Sequence, residues 1–257
     1  MIKIVDSKNP FFKEITELSK NNPYGCRIIS LYNTYNYNLP FVDFWVQLIN
    51  EKPVSLISRL ESAFILRISE ESDIKEISSF IRVSGAQNVI CDSSFGLNCD
   101  LSKKSGPILF SDKLFDINKS FEVFTPDTRE VYSVICKAAS EHFAVPSYES
   151  FMLDVNHKLN QRSIRIYAVK DDKLPAACIM TLAESKDSAV LGALATDPNY
   201  RNKGYGAFLV KYINNVLVSE GKRVYLHRAP SENVAFYNRL GFKEYGKWAE
   251  YREKENE

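Results

Sequence analysis

Three histidines and five cysteines are all that 257 residues offer to a soft metal, and the cysteines (Cys26, Cys91, Cys99, Cys136, Cys178) show no Cys-x-x-Cys spacing. That composition excludes a zinc cluster and a paired disulfide framework, and it reads as reduced, mostly buried thiols with no metal site. Long apolar runs are also missing: no segment approaches the roughly 20 residues of a spanning helix. Met1 to Asn22 is interrupted by Lys3, Asp6, Lys8, Lys13, Glu14 and Glu17, so it is no signal peptide. There is little excess charge of either sign, 33 basic against 32 acidic residues for a net +1, and no basic cluster. Nucleic acid and membrane are thereby excluded as partners, and a soluble, cytoplasmic protein is expected.

What is present is ordinary for a globular chain, 45% apolar and 25% charged, long enough for one large domain or two small ones. One stretch organises the rest. Ala189 to Ala195 is an apolar run that reads as a buried strand and ends at the turn signal Asp197-Pro198. The basic loop Tyr200-Arg201-Asn202-Lys203-Gly204-Tyr205-Gly206-Ala207 comes next, and then Phe208, Leu209, Tyr212, Ile213, Val216 and Leu217 recur at helical spacing. Strand, glycine loop and helix in that order make an anion site, because the first N–H groups of a helix lack partners and its dipole adds positive potential. Gly204 and Gly206 let a phosphate approach the backbone, and Arg201 and Lys203 add formal charge. The Gly-Lys-Ser/Thr of a Walker loop is absent, and so is the third glycine of a dinucleotide fingerprint.

The remaining pattern, Arg201-x-x-Gly204-x-Gly206-Ala207 opening an amphipathic helix after a strand ending in Asp-Pro, resembles the acetyl-coenzyme A signature of the GNAT superfamily of N-acetyltransferases. A second anchor lies near the end, where Asn233…Phe236-Tyr237-x-x-Leu240-Gly241-Phe242 is similar to that family's closing motif. Read as β-α-α-β-β-β-α-β-α-β, Phe121 to Tyr251 matches the family's element order: a strand at Phe121–Phe124, helices from Thr125-Pro126-Asp127 to about His142 and from Tyr148 to Leu159, strands at Ile164–Lys170 and Leu174–Leu182 around the turn Asp171-Asp172-Lys173, then the cofactor strand and helix, Val224–His227, Glu232–Leu240 and Phe242–Trp248. Thr125 is the expected helix cap. The fold class is α/β (α+β): a mixed, mostly antiparallel twisted sheet of the GNAT type flanked by helices, with a second, smaller α/β lobe.

The resemblance implies acetyl transfer from acetyl-CoA to a primary amine, on a small molecule or a peptide, by direct attack in a ternary complex. It implies that Arg201, Asn202, Lys203, Gly204, Tyr205, Gly206 and Ala207 hold the pyrophosphate. In the family the preceding strand splays at a bulge, which here maps to Leu194, Ala195 and Thr196 as backbone partners of the pantetheine arm and of the thioester carbonyl. Tyr237 takes the position of the acid that protonates the leaving thiolate, and Asn233 that of a cofactor-contacting asparagine. The cofactor strand carries no ionisable side chain, so the candidates for a base are His227 and Glu184 at the ends of the flanking strands, with His142 and His157 behind them. The competing class is an acyl-CoA-binding regulatory module with weak or lost catalysis. A homodimer is compatible with either.

Residues 1–118 form the expected first domain and 119–257 the second. In the first, Phe11–Asn21 reads as a helix stopped by Asn22-Pro23-Tyr24-Gly25. Phe44–Ile49, Val54–Arg59 and Ala63–Ile68 read as strands, Glu71–Ser84 as a helix and Asn88–Cys91 as a strand. Tyr32 to Asn38, rich in Tyr and Asn, is expected to be a loop, either lining a cleft or lying on the surface, and Phe95 to Pro107 is expected to be a loop as well. The order of elements fits either a degenerate, cofactor-free copy of the same fold or an unrelated small α/β domain.

Overall fold

The structure, a computed structural model, describes residues 1–8, 11–36, 39–139, 145–171, 174–231 and 233–253. It divides into two compact units, Met1–Ile108 with Glu244–Glu257, and Leu109–Lys243. Seven α-helices and twelve strands lie among the described residues.

The first unit runs β1 (Ile2–Ile4), α1 (Phe12–Ser19), α2 (Pro23–Tyr35), β2 (Val42–Ile49), β3 (Lys52–Leu60), β4 (Ala63–Arg67), α3 (Ile74–Val83) and β5 (Asn88–Asp92), and then most of β6 (Ser102–Ser111). Strands β2, β3 and β4 form a meander joined by tight turns, and β5 returns parallel to β4 after the α3 crossover. Ile77 and Ile81 on α3 pack on Phe64, Leu66 and Val89, all essentially inaccessible. Each such side chain contributes about 1.5–3 kcal/mol on burial.

Three expectations for this unit change. The sequence Asn22-Pro23 does stop α1, but it also starts α2. The Asn22 side chain accepts the N–H groups of Tyr24 and Gly25, and Pro23 takes the first helical position, where a missing N–H costs nothing. Helix α2 then runs to Tyr35, so Tyr32 to Tyr35 is its last turn and not a loop, and residues 37–38 lie outside the described residues. Ser102 to Pro107, expected in a loop, belongs to β6.

The second unit runs β7 (Val123–Phe124), α4 (Thr128–Ala138), α5 (Tyr148–Asn160), β8 (Ile166–Asp171), β9 (Leu174–Glu184), β10 (Ser188–Thr196), α6 (Tyr205–Ser219), β11 (Arg223–His227) and α7 (Val234–Leu240). Its strands are ordered β7-β8-β9-β10-β11. One face carries α6, with Leu209, Ile213 and Leu217 packed on Ala177, Ile179, Ala189, Leu191, Val224 and Leu226. The other carries α4 and α5, with Val131, Val134, Ile135 and Val155 packed on Ile166, Ala168, Cys178, Met180 and Ala195. Helix α4 is capped by Asp127, not by Thr125. The Asp127 carboxylate accepts the Arg129 N–H at 2.8 Å while Glu130 accepts the Asp127 N–H at 2.9 Å, a reciprocal capping box. Asp172 and Lys173 of the expected β8–β9 turn lie outside the described residues.

The last strand, β12 (Lys243–Arg252), returns to the first unit and pairs antiparallel with β5, Trp248 opposite Asp92. The compact units therefore part near residues 108 and 243, whereas the sequence suggested a single division at 118/119. Hydrophobic period identifies a strand but not its partner. Among the described residues, β10 pairs with β11 and β4 with β5 in parallel, and the pairs β1·β2, β2·β3, β3·β4, β5·β12, β7·β8, β8·β9 and β9·β10 are antiparallel.

Gly25 is where α2 meets the end of α1. A Cβ there would lie 2.4 Å from the Ser19 Cα and 2.7 Å from its carbonyl oxygen, both backbone atoms. Gly25→Ala is expected to lower the thermal unfolding midpoint by about 3–8 °C. Gly96→Ala, whose Cβ meets nothing within 4 Å, should leave it unchanged in the same melts.

Candidate functional site

The site is built from the C-terminal end of β10, the turn after it and the start of α6. Against β9, β10 is paired from Ala189↔Glu184 to Gly192↔Met180 and again from Ala195↔Cys178 to Thr196↔Ala177. Three residue steps on β10 therefore face two on β9, a one-residue bulge in which Ala193 takes a left-handed backbone, φ 47°. The bulge resets the alternation: Leu191 and Leu194 both face α6, while Ala193 and Ala195 face α4 and α5. Gly192 sits beneath Leu182, whose side chain a Cβ at 192 would meet at 2.5 Å.

On its other side β10 pairs with β11 in parallel, and that register ends at Leu191↔Leu226. Strand β10 nevertheless continues to Thr196. Among the described residues, Gly192 to Thr196 thus present a strand edge with no β11 partner, a set of backbone groups that an extended ligand with amides is suited to fill.

After Thr196 the chain makes a short 3₁₀ turn at Pro198–Tyr200 and enters α6 at Tyr205. The turn is fixed by Asp197, whose buried carboxylate accepts the Asn199 N–H at 3.0 Å and the Lys137 ammonium at 2.9 Å. Hydrogen bonding to Lys137 holds that carboxyl below its ordinary range. Gly204 caps α6 in the left-handed conformation, φ 94°, with no capping side chain and no acidic residue in the first turn. The Phe208 N–H is bonded to the Gly204 carbonyl at 3.0 Å, which leaves the N–H groups of Gly206 and Ala207 before it without an intrahelical acceptor. A Cβ at Gly206 would sit 3.3 Å from the Thr196 hydroxyl and narrow the cleft between strand end and helix. This open helix start, beside the free strand edge, fits a diphosphate carrying a peptide-like arm.

The cations divide. Arg201 is exposed and makes no ion pair among the described residues. Lys203 is held by Asp171 at 2.6 Å, and the Tyr205 hydroxyl donates to the same carboxylate oxygen at 2.9 Å. Tyr205 therefore faces the ligand side only through its backbone. Asn202 is left-handed, φ 64°, and exposed. Sequence reasoning read Asp171 and Asp197 only as turn residues and did not single out Lys137, because an acid at a turn carries no spacing signal for its partner.

Of the expected catalytic groups, Tyr237 lies on α7, half-buried between the rings of Phe236 and Phe242. Burial pushes its hydroxyl up to about 12, against the opposing charge of Arg228. Asn233 stands exposed at the start of α7, left-handed at φ 56°. His227 is the residue after Leu226, the last to pair with β10, and so stands at the mouth of the divergence. Val224 and Leu226 face α6, so strand alternation puts His227 on the α4/α5 face. His157 is in the last turn of α5, and His142 lies outside the described residues.

Glu184 lies at the other end of β10 from the strand edge. It pairs with Ala189 near the start of β10, far along the strand from Thr196, and its carboxylate is already committed. Lys222 approaches it at 2.6 Å, Arg165 at 2.8 Å, and the Thr181 hydroxyl donates at 3.0 Å. Bonded in this way, the carboxylate ties β9 to the residues just before β8 and just after α6.

Residues 162–244 match the family model of the acetyltransferase (GNAT) domain. Over that stretch the chain is similar to a GNAT domain. No curated protein matches the chain in sequence. Solved structures share the fold: a GCN5-related N-acetyltransferase from Kribbella flavida (11% identity, 79% of this chain and 87% of that one, TM-score 0.58) and a GNAT-family acetyltransferase from Colwellia psychrerythraea (13%, 99% and 100%, TM-score 0.58). A third is a tandem GNAT protein from the clavulanic acid biosynthesis pathway (12%, 98% and 98%, TM-score 0.60). The matched family model is one of acetyltransferases, whose reaction is acyl transfer from an acyl-CoA. Among the described residues, no helix is long and apolar enough to cross a membrane.

If the Glu184 cluster is structural, Glu184→Gln should lower the unfolding midpoint by about 4–8 °C and leave the turnover number within twofold of wild type. A tenfold loss of turnover at an unchanged midpoint would instead return Glu184 to the candidate bases.

Proposed function

We propose that the second unit is an N-acetyltransferase that passes the acetyl group of acetyl-CoA directly to a primary amine, in a complex holding both substrates. The observation that supports this most is the strand edge Gly192–Thr196, which opens immediately before an uncapped, acid-free helix start. Acetyl-CoA supplies an activated acyl group and a leaving thiolate. The chain's own part is to bind, orient and move protons. Backbone N–H groups of Gly204 to Ala207, with Arg201, hold the pyrophosphate through the helix start and by charge. Backbone groups of Leu194, Ala195 and Thr196 pair with the pantetheine arm, and a β10 N–H polarises the thioester carbonyl without reorganising. His227, at the mouth of the divergence on the α4/α5 face, takes the amine proton. Tyr237 donates from its hydroxyl to the leaving sulfur, and Asn233 at the start of the same helix contacts the cofactor.

Tyr237 also fixes how the donation is written. A phenol at about 12 is a weaker acid than a thiol near 8.5, so full transfer to a free thiolate runs uphill. The hydroxyl acts by a hydrogen bond that strengthens as the sulfur gains charge, with the proton moving across as the C–S bond breaks.

The first unit, in this reading, is a second lobe of the same element order that no longer binds cofactor. Its parallel pair β4·β5 also stops early, at Ile65↔Ile90, yet the next helix is filled by its own acids. Asp73 caps α3 by accepting the N–H groups of Lys75 and Glu76, and Glu76 in the first turn accepts the N-terminal ammonium at 2.9 Å.

Calorimetric titration with acetyl-CoA tests the reading first. Micromolar binding lost in the Arg201→Glu/Gly204→Glu double variant is expected, and no binding by wild type would overturn it. Tyr237→Phe should cut turnover by roughly 10²-fold while leaving acetyl-CoA affinity within threefold. An acyl-CoA-binding regulatory module, the competing class, would be indifferent to that change. The raised pKa sets the pH dependence. Raising an acid's pKa extends its protonated form to higher pH, so its loss displaces the alkaline limb upward. Turnover against pH should therefore show no descending limb from Tyr237 below about pH 10, and a wild-type limb there that Tyr237→Phe abolishes would contradict the buried phenol.

A further inference from the structure

Asp171 stands in an unexpected place. It ends β8, 32 residues before its partner, and projects a carboxylate to the lip of the glycine loop. There its Oδ2 accepts the Lys203 ammonium at 2.6 Å and the Tyr205 hydroxyl at 2.9 Å. The same ammonium lies 5.1 Å from the centroid of the Tyr200 ring. Lys203 is half exposed, so the pair is reachable by a ligand from solvent. A carboxylate at the lip of an anion site opposes the ligand twice, by direct repulsion and by neutralising the nearest lysine. Arg201, two residues earlier, carries no such partner among the described residues. The helix itself does not require the arrangement, since α6 is started by the Gly204 backbone.

We propose that Asp171 sets the affinity of the site for its cofactor, by holding Lys203 in the free protein and yielding it to a phosphate of the bound acyl-CoA. This inference rests on the acyl-CoA reading of the loop. Two anions then compete for one ammonium, and cofactor affinity is the difference between them, not the full strength of the lysine–phosphate pair. An affinity held down in this way suits an enzyme that must release free CoA at each turnover. Asp171 is a positioning residue, acting on the ligand through Lys203. The pair persists at neutral pH, because the Lys203 hydrogen bond holds the Asp171 carboxyl below its ordinary range and Asp171 raises the ammonium.

The test is calorimetry with CoA itself on wild type, Asp171→Asn, Lys203→Met and the double variant, at about 50 and about 200 mM salt. Asparagine keeps an oxygen for the Tyr205 hydroxyl, so the loop retains its anchor while the charge is removed. Asp171→Asn is expected to bind CoA about three- to fivefold more tightly, with a steeper loss of affinity on adding salt. Lys203→Met is expected to bind more weakly, and adding Asp171→Asn to it to restore less than about twofold, the small part due to direct repulsion alone. Unchanged or weaker binding by Asp171→Asn overturns the proposal, and so does a gain of the same size in the absence of Lys203. Parallel titration with dephospho-CoA locates the phosphate. A gain shared by both ligands places it in the pyrophosphate, and a gain seen only with CoA places it at the 3′ position; either supports the exchange. No binding of CoA by wild type strikes the acyl-CoA reading itself and takes this inference with it, whereas the Asp171→Asn outcomes above bear on the exchange alone.

Discussion

Strand β10 stays bonded to β9 along its length but gives up β11 after Leu191, and the arrangement of the second unit depends on that unequal pairing. A strand interior leaves neither its N–H nor its C=O groups unmet without cost. Here, among the described residues, the β11 ladder stops while β10 continues from Gly192 to Thr196, paired at its end with β9. The bulge at Ala193 is what permits it. One extra residue bends β10 and turns its remaining length, and the left-handed backbone at an alanine is a strain that the flanking pairs must hold in place. The glycine before it leaves room for the Leu182 side chain, which a Cβ there would meet at 2.5 Å.

Charge then decides what the opening receives. Helix α6 starts without an acid and without a side-chain cap, and Arg201 stands free in solvent just before it. Two carboxylates lie near the loop, and both are matched to lysines: Asp197 beneath it with Lys137, and Asp171 at its lip with Lys203. Asp197 is inaccessible and braces the turn from below, whereas Asp171 is partly open and meets the ligand side. Similar ion pairs thus serve different ends according to burial. The first fixes geometry, and the second modulates a field.

Much of the second unit was legible in the sequence because its elements announce themselves locally. The run Ala189–Ala195, the glycines at 204 and 206, and the 3.6-residue recurrence from Phe208 to Leu217 each have a local physical cause, and the structure repeats them within a residue or two. Gly241 also takes the left-handed cap that the Leu-Gly-Phe order suggests, φ 93°. What failed was either ambiguous locally or not local at all. Asn-Pro both ends one helix and begins the next, and reading only the stop erased α2. The commitment of Glu184 depends on Arg165 and Lys222, 19 and 38 residues away, and the partner of β12 lies more than 150 residues back in the chain. No window of residues contains those facts.

The contrast between α3 and α6 carries the functional reading further than either helix alone. Both come after a strand whose parallel partner drops away, and both present unpaired N–H groups at their first turn by the nature of a helix. In α3 the demand is met from within: Asp73 takes two of the N–H groups, Gln47 binds the Asp73 backbone in both directions, and Glu76 adds a second negative charge that draws in the N-terminal ammonium. An approaching phosphate would have to displace a carboxylate covalently tethered to the helix and overcome another beside it. In α6 the corresponding position is glycine, and the Asp171 carboxylate at the lip comes from the end of β8 and holds the Lys203 ammonium and the Tyr205 hydroxyl, not the backbone N–H groups of the helix start. A tethered cap closes a site, while a borrowed one tunes it. On that physical difference, an aspartate at the start of one helix and a glycine at the start of the other, rests the proposal that only the second unit binds cofactor.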